Sequence, residues 1–201
     1  MEITWHGHAC FSIRSGDYTV VLDPYDGVPG YPPLHLTAQQ VLCSHEHFDH
    51  NCRAAVALLP AAAPSPFTVT TQHTFHDDRG GALRGGNTVH ILCAEGLTVV
   101  HLGDLGHLLT PEQAQSLTGC DVLLLPVGGT YTVTGAQAAH TVRQLRPRIA
   151  VPMHYRRGEQ GFDNIDELSP FLSCFASGEI HPLSGRSFDP AREVSGIVIP
   201  K

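Results

Sequence analysis

The 201-residue sequence predicts an α/β protein in a single domain spanning 1–201, with two β-sheets packed face to face and helices outside. Three observations carry this. Short alternating, β-branched runs recur in two blocks, 2–22 and 67–102, and helical segments follow each block. Two nearly continuous apolar runs, 121–127 and 149–153, read as strands buried on both faces. Segments bearing helix-start signals lie between and around these runs.

The elements follow in order. EITW (2–5), CFSIR (10–14) and YTVVL (18–22) are strands, the last two joined by the turn SGD. The Pro- and Gly-rich stretch 23–33 is irregular. VLC (41–43) is a short buried strand, and CRAAVALL (52–59) reads as a helix with Asn51 as its N-cap. FTVTT (67–71), NTVHILC (87–93) and LTVVHL (97–102) are strands, the last pair a hairpin turning at AEG. TPEQAQSL (110–117) starts a helix with Thr110 as N-cap and Pro111 in its first turn. TGAQAAHTVRQL (134–145) is a helix capped by Thr134. IDELSPFLSCF (165–175) reads as a helix kinked at Pro170, and GIVI (196–199) is a last strand.

Composition narrows the chemistry. Twelve basic residues face nineteen acidic ones, so a phosphate-gripping surface and bulk nucleic-acid binding are not expected. The only lysine is Lys201, which excludes Schiff-base and P-loop chemistry, whereas the fourteen histidines outnumber Lys and Arg together and point to metal or proton chemistry. No CxxC pair is present. Cys43, Cys93 and Cys120 lie in or beside apolar segments, so they read as buried and reduced, hence cytoplasmic. MEITWHGHACF has no apolar signal-peptide region, and the longest apolar stretch, 54–63, is too short to span a membrane.

The chemical signal is His45-Glu46-His47-Phe48-Asp49-His50, directly after a buried strand. In a helix His45 and His47 diverge; in a strand His50 leaves the shared face. A strand end turning into a helix resolves both. His45 and His47 can then hold one ion, and Asp49 and His50 a neighbouring one.

This HxHxDH motif resembles that of the metallo-β-lactamase superfamily, metal-dependent hydrolases of four-layer αββα sandwich fold. TWHGHACFSI with VVLDPY, then HLGDLGH (101–107), LLLPVGGTYT (123–132) and VPMHY (151–155) extend the resemblance over nearly the whole chain. They resemble a compact branch of the superfamily related to its lactonase and phosphodiesterase members. The resemblance implies His45 and His47 as first-site ligands, Asp49, His50 and His154 as second-site ligands, and Asp104 as the carboxylate bridging both. It also implies a third first-site His before a strand, which His73 or His76 can supply. His76 is preferred, with His101 an outsider. Asp23 is expected to orient a ligand His, and His8 to border the site.

Two divalent ions are implied, zinc by default with manganese or iron as alternatives. A hydroxide bridging them would attack an ester, lactone or phosphodiester of a small molecule. His107, then His101, are the candidate general acids, alongside Asp104. Thr130 and Tyr131 of the Gly-Gly-Thr-Tyr turn, with Tyr155 and Arg156, are the candidate substrate contacts, the Arg suiting an anion. No nucleic-acid or membrane partner is expected, and the apolar AAVALL leaves a homo-oligomer open. The other classes weighed are a non-catalytic metal-binding or ligand-sensing protein and an iron-dependent redox member.

Overall fold

The computed structural model describes residues 1–201. Its elements are β1 (Glu2–Gly7), β2 (Cys10–Ser15), β3 (Tyr18–Leu22), β4 (Leu36–Ala38), β5 (Gln40–Leu42), β6 (Val56–Leu58), β7 (Thr68–Phe75), β8 (Gly86–Ala94) and β9 (Leu97–His101). Then come α1 (Pro111–Gln115), β10 (Val122–Pro126), α2 (Gly135–Leu145), β11 (Ile149–Met153), α3 (Ser169–Leu172), β12 (Ile180–Pro182), β13 (Ser187–Phe188) and β14 (Gly196–Ile199).

Two sheets form the sandwich. One has the order β13-β1-β2-β3-β5, the other β12-β14-β11-β10-β9-β8-β7. Alternation decides which face meets which. In β2 and β3, Phe11, Ile13, Val20 and Leu22 belong to the core shared with Val99, Leu123 and Val151 of the second sheet. Their neighbours Cys10 and Val21 face outward into a smaller cluster with Tyr25, Val28, Ala38 and Val56. All five residues of β10 and all five of β11 are buried, as their unbroken apolar runs require. The α/β sandwich read from the sequence is present, and capping boxes open α1 at Thr110 and α2 at Thr134.

The segment 52–59 is not helical. Arg53–Ala55 is one 3-10 turn, and Val56–Leu58 pairs in parallel with β4. Burying Val56 against the outer face of the first sheet outweighs local helix propensity, so loop and strand cover that face. Asn51 caps nothing; its side-chain amide binds Glu46. The segment 165–175 is helical only at Ser169–Leu172, with Pro170 in the first turn where its missing N–H costs nothing. Cys93 is exposed because Leu92 and Ala94 take the inward positions of β8; Cys43 is half-buried. No helix is long and apolar enough to cross a membrane.

Seven strand ends open on one edge of the sandwich. β1 leads to His8, β3 to Asp23, β5 to Ser44 and His45, β7 to His76, β9 to Asp104, β10 to Gly128 and β11 to His154. A hydrogen bond from His154 N to His8 O (3.2 Å) ties the two sheets together there.

Candidate metal centre

The backbone is bent hard around this edge. His8, Asp23 and His154 adopt left-handed conformations at φ 49, 44 and 53°, which for residues other than glycine costs on the order of 1–3 kcal/mol each. Gly103, at φ 56°, makes the turn that presents Asp104. A Cβ there would run into Ser44 and the Asn87 amide, and that amide oxygen accepts Asp104 N–H at 2.9 Å. Gly128 carries no Cβ where one would strike the His154 carbonyl.

The side chains converge on one atom. His50, His76 and His154 place Nε2 at 3.2, 3.3 and 3.3 Å from Asp104 Oδ2, with His45 Nε2 at 4.0 Å. His47 adds its ring beside His45 and His76, at centroid separations of 4.7 and 5.1 Å. Asp49 Oδ2 lies 3.6 Å from His50 Nε2. Potential ligand atoms within 4.8 Å of one another group as His45, His47 and His76, as His8, Asp49, His50 and His154, and as His45, His50 and Asp104.

The outer nitrogens of three rings are committed elsewhere. His76 Nδ1–H donates to Tyr131 O (3.1 Å), His50 Nδ1–H to Asp23 Oδ2 (2.8 Å) and His45 Nδ1–H to Ser44 Oγ (2.9 Å). Ser44 Oγ–H donates in turn to Asp23 Oδ2 (2.6 Å), and Ser44 N–H to Asp23 Oδ1 (2.7 Å). Each commitment fixes the tautomer that leaves Nε2 with a lone pair. The buried Nε2 atoms of His45, His50 and His154, and Oδ1 of Asp104, have no hydrogen-bond partner. Buried polar atoms without partners are costly, so this set fits a cation.

Electrostatics agree. Burial alone would raise the Asp104 carboxyl, yet His154 and His50 beside it hold it well below its ordinary range. Asp49, against its burial, is brought down to about 2 by His8 and His50. Burial pushes the His45 imidazole down to about 3 and the His8 imidazole to about 4, so both are neutral at pH 7. His50 goes the other way: against its burial, Asp104 and Asp23 raise it well above the usual value. The three carboxylates thus demand positive charge, which a divalent ion would supply while displacing a proton.

The cluster floors a cleft of about 520 Å³ whose walls include Glu46, Phe48, Arg84, Tyr131 and Phe162. The structure brings His45, His47, His76, Asp49, His50, Asp104 and His154 together, with Asp23 and His8 behind them. His73 is left out: it projects from the exposed side of edge strand β7 toward Gly86, while His76 sits just past the strand's end.

Five expected residues lie elsewhere. His101 is fully buried with both nitrogens satisfied, donating to Ala9 O (3.0 Å) and accepting Gly103 N–H (3.1 Å), so it supports the turn and offers no proton to the cleft. His107 accepts Phe75 N–H (3.2 Å) and donates to Leu108 O (2.8 Å), outside the cleft. The left-handed turn at His154 sends Tyr155 back into the core, stacked on Trp5, and takes Arg156 to an ion pair with Glu167 (3.0 Å). Thr130 holds Arg84 through its carbonyl, and only Tyr131 of the pair lines the cleft. Sequence reasoning missed Phe48, Arg84 and Phe162. An aromatic between two ligand residues was the one local signal; Arg84 and Phe162 meet it only through the fold.

A two-sheet sandwich with a His/Asp cluster at its strand ends defines the class of metal-dependent hydrolases of metallo-β-lactamase fold. The family model described as "Beta-lactamase superfamily domain" matches residues 2–154, and the chain belongs to that superfamily. Among relatives, a "UPF0173 metal-dependent hydrolase" of Pyrobaculum islandicum is 30% identical, the match covering 77% of this chain and 84% of that one. A solved metallo-beta-lactamase superfamily protein of Thermotoga maritima is 34% identical with a TM-score of 0.74, covering 99% and 98% of the two chains. An isothiocyanate hydrolase from Delia radicum gut bacteria shares the fold at a TM-score of 0.70 but only 15% identity, over 98% and 100% of the chains.

Proposed function

We propose that the protein is a dinuclear hydrolase cleaving an ester, lactone or phosphodiester bond of a small molecule. One observation carries the reading: four imidazole Nε2 atoms surround Asp104 Oδ2, three of them freed by Nδ1–H bonds to fixed acceptors. His45, His47 and His76 would hold one ion, Asp49, His50 and His154 the other, and Asp104 both. Zinc suits the nitrogen-rich donors best; manganese and iron suit the carboxylates too. Bound there, such ions bring a water to a pKa near ~7 and polarise the oxygen of the bond under attack.

The chain's own contribution is positioning and exclusion. Asp23 and Ser44 lock two ligand rings at once. His8 Nε2–H donates to Asp49 Oδ2 (3.2 Å), and its ring packs 4.1 Å from that of His154, fixing two more groups. Asp104, ionised and buried, keeps its Oδ1 without a hydrogen-bond partner, so that oxygen is free to take a ligand or a proton donor in the cleft. The cleft's size matches a small-molecule substrate. Six unpaired thiols support a reducing, cytoplasmic setting.

Metal analysis of the purified protein, joined to a panel of lactones, phosphodiesters and thioesters, tests the reading. Two ions per chain and turnover abolished by a chelator are expected. Substoichiometric metal with no turnover anywhere overturns it.

A further inference from the structure

The aromatic walls of the cleft have no place in the metal chemistry. Phe48 is 60% exposed although it sits between His47 and Asp49, where a polar residue would cost nothing. Its ring meets Phe162 edge to face at 6.3 Å, and Phe162 meets Tyr131 in the same way at 6.3 Å. These separations lie near the loose end of aromatic contact, roughly 4.5–7 Å, so the rings line a slot rather than close it.

The slot is braced on the far side. Tyr131 Oη accepts from the Asn164 amide, and the Arg84 guanidinium lies 5.5 Å over the Tyr131 ring. Phe162 rests edge-on against His8 at 5.6 Å, so this wall is rooted in the metal centre. Arg84 forms no ion pair. One amino group donates to Thr130 O (3.1 Å), and the remaining donors of its fork have no side-chain acceptor at the cleft that Arg84 lines.

An aromatic set of exposed Phe48 with half-buried Tyr131 and Phe162, beside one cation with no carboxylate partner, matches a ligand that is apolar at one end and anionic near it. We infer that the substrate carries a flat apolar group, aryl in size, held among Phe48, Tyr131 and Phe162, and an anionic oxygen taken by Arg84. The inference rests on the hydrolase reading and names which members of that substrate class fit.

Binding of phenylphosphonate and methylphosphonate to the metal-loaded protein, followed by calorimetry, tests it. The phosphonate group is common to both probes, so their ratio reports the apolar slot alone. The phenyl compound should bind about tenfold tighter or better. Phe162→Ala and Phe48→Ala should collapse that ratio toward one, and Phe48 is exposed enough that its replacement leaves the fold intact. Arg84→Gln should weaken both phosphonates alike, with the ratio kept. Equal binding of the two probes, or a ratio unchanged in Phe48→Ala, overturns the inference and leaves the hydrolase reading standing. A clear phenyl preference without turnover of any ester, lactone or phosphodiester overturns the hydrolase reading instead.

Discussion

Asp23 holds no ion in the proposed scheme, yet replacing it should weaken metal binding about 100-fold. Its carboxylate takes three buried donors: Ser44 N–H, Ser44 Oγ–H and His50 Nδ1–H, at 2.7, 2.6 and 2.8 Å. Through Ser44 it also sets His45. Burial alone would raise its pKa, but His101 and His50 hold it far below the usual value, so it is a full acceptor at neutral pH. In Asp23→Asn the amide keeps the shape and fails chemically. With its oxygen toward Ser44 N, its NH₂ meets the His50 Nδ1–H, and His50 must move its proton to Nε2, where it blocks ligation. With the amide flipped, NH₂ faces the Ser44 N–H instead. Removing a partner of a metal ligand costs about 10–100-fold in affinity, and Asp23 serves two ligands, so the upper end applies. Ser44→Ala, which cuts only the His45 branch, should fall near the lower end. Asp23→Ala leaves three buried donors unpaired at about 1 kcal/mol or more each, hence a metal-free Tm roughly 6–12 °C lower. Zinc affinity by chelator competition, with thermal unfolding of the metal-free proteins, measures both effects. Wild-type zinc affinity in Asp23→Asn and Ser44→Ala would refute the argument that these hydrogen bonds prepare the ligands.

Two further outcomes follow from local geometry. Gly103→Ala forces a left-handed alanine whose Cβ meets Ser44 and Asn87, and it should cost about 3 kcal/mol or more in urea unfolding and lower the bound metal; a variant with unchanged midpoint and full metal contradicts the role of this turn. Among the thiols, Cys93 is exposed, whereas burial pushes Cys120 up to about 12 and Cys10 well above the ordinary value. Iodoacetamide at pH 8 should therefore modify Cys93 in the folded protein and reach Cys10 and Cys120 only on unfolding, as peptide mass mapping would show.

Where sequence reading succeeded, the determining interactions are local. Both capping boxes lie within four residues, and the apolar runs of β10 and β11 allow no exposed face. Where it failed, distant partners decided. Val56–Leu58 is a strand because β4 lies beside it, against the preference of its own residues. His107 stands three positions past Asp104, yet its nitrogens are spent on the Phe75 and Leu108 backbone.

The same division runs through the site. HxHxDH brings four metal-competent side chains together within six residues, so the sequence alone settled that metal chemistry belongs here and to which superfamily the chain belongs. Only the tertiary structure decided that His76 rather than His73 completes the cluster, because the end of an edge strand sets which side chain turns inward. It also decided that Arg84, Tyr131 and Phe162 line the cleft above that cluster. Those residues share no spacing along the chain. Loops that follow β7, β10 and β11 of one sheet make them neighbours, and no local pattern encodes that contact.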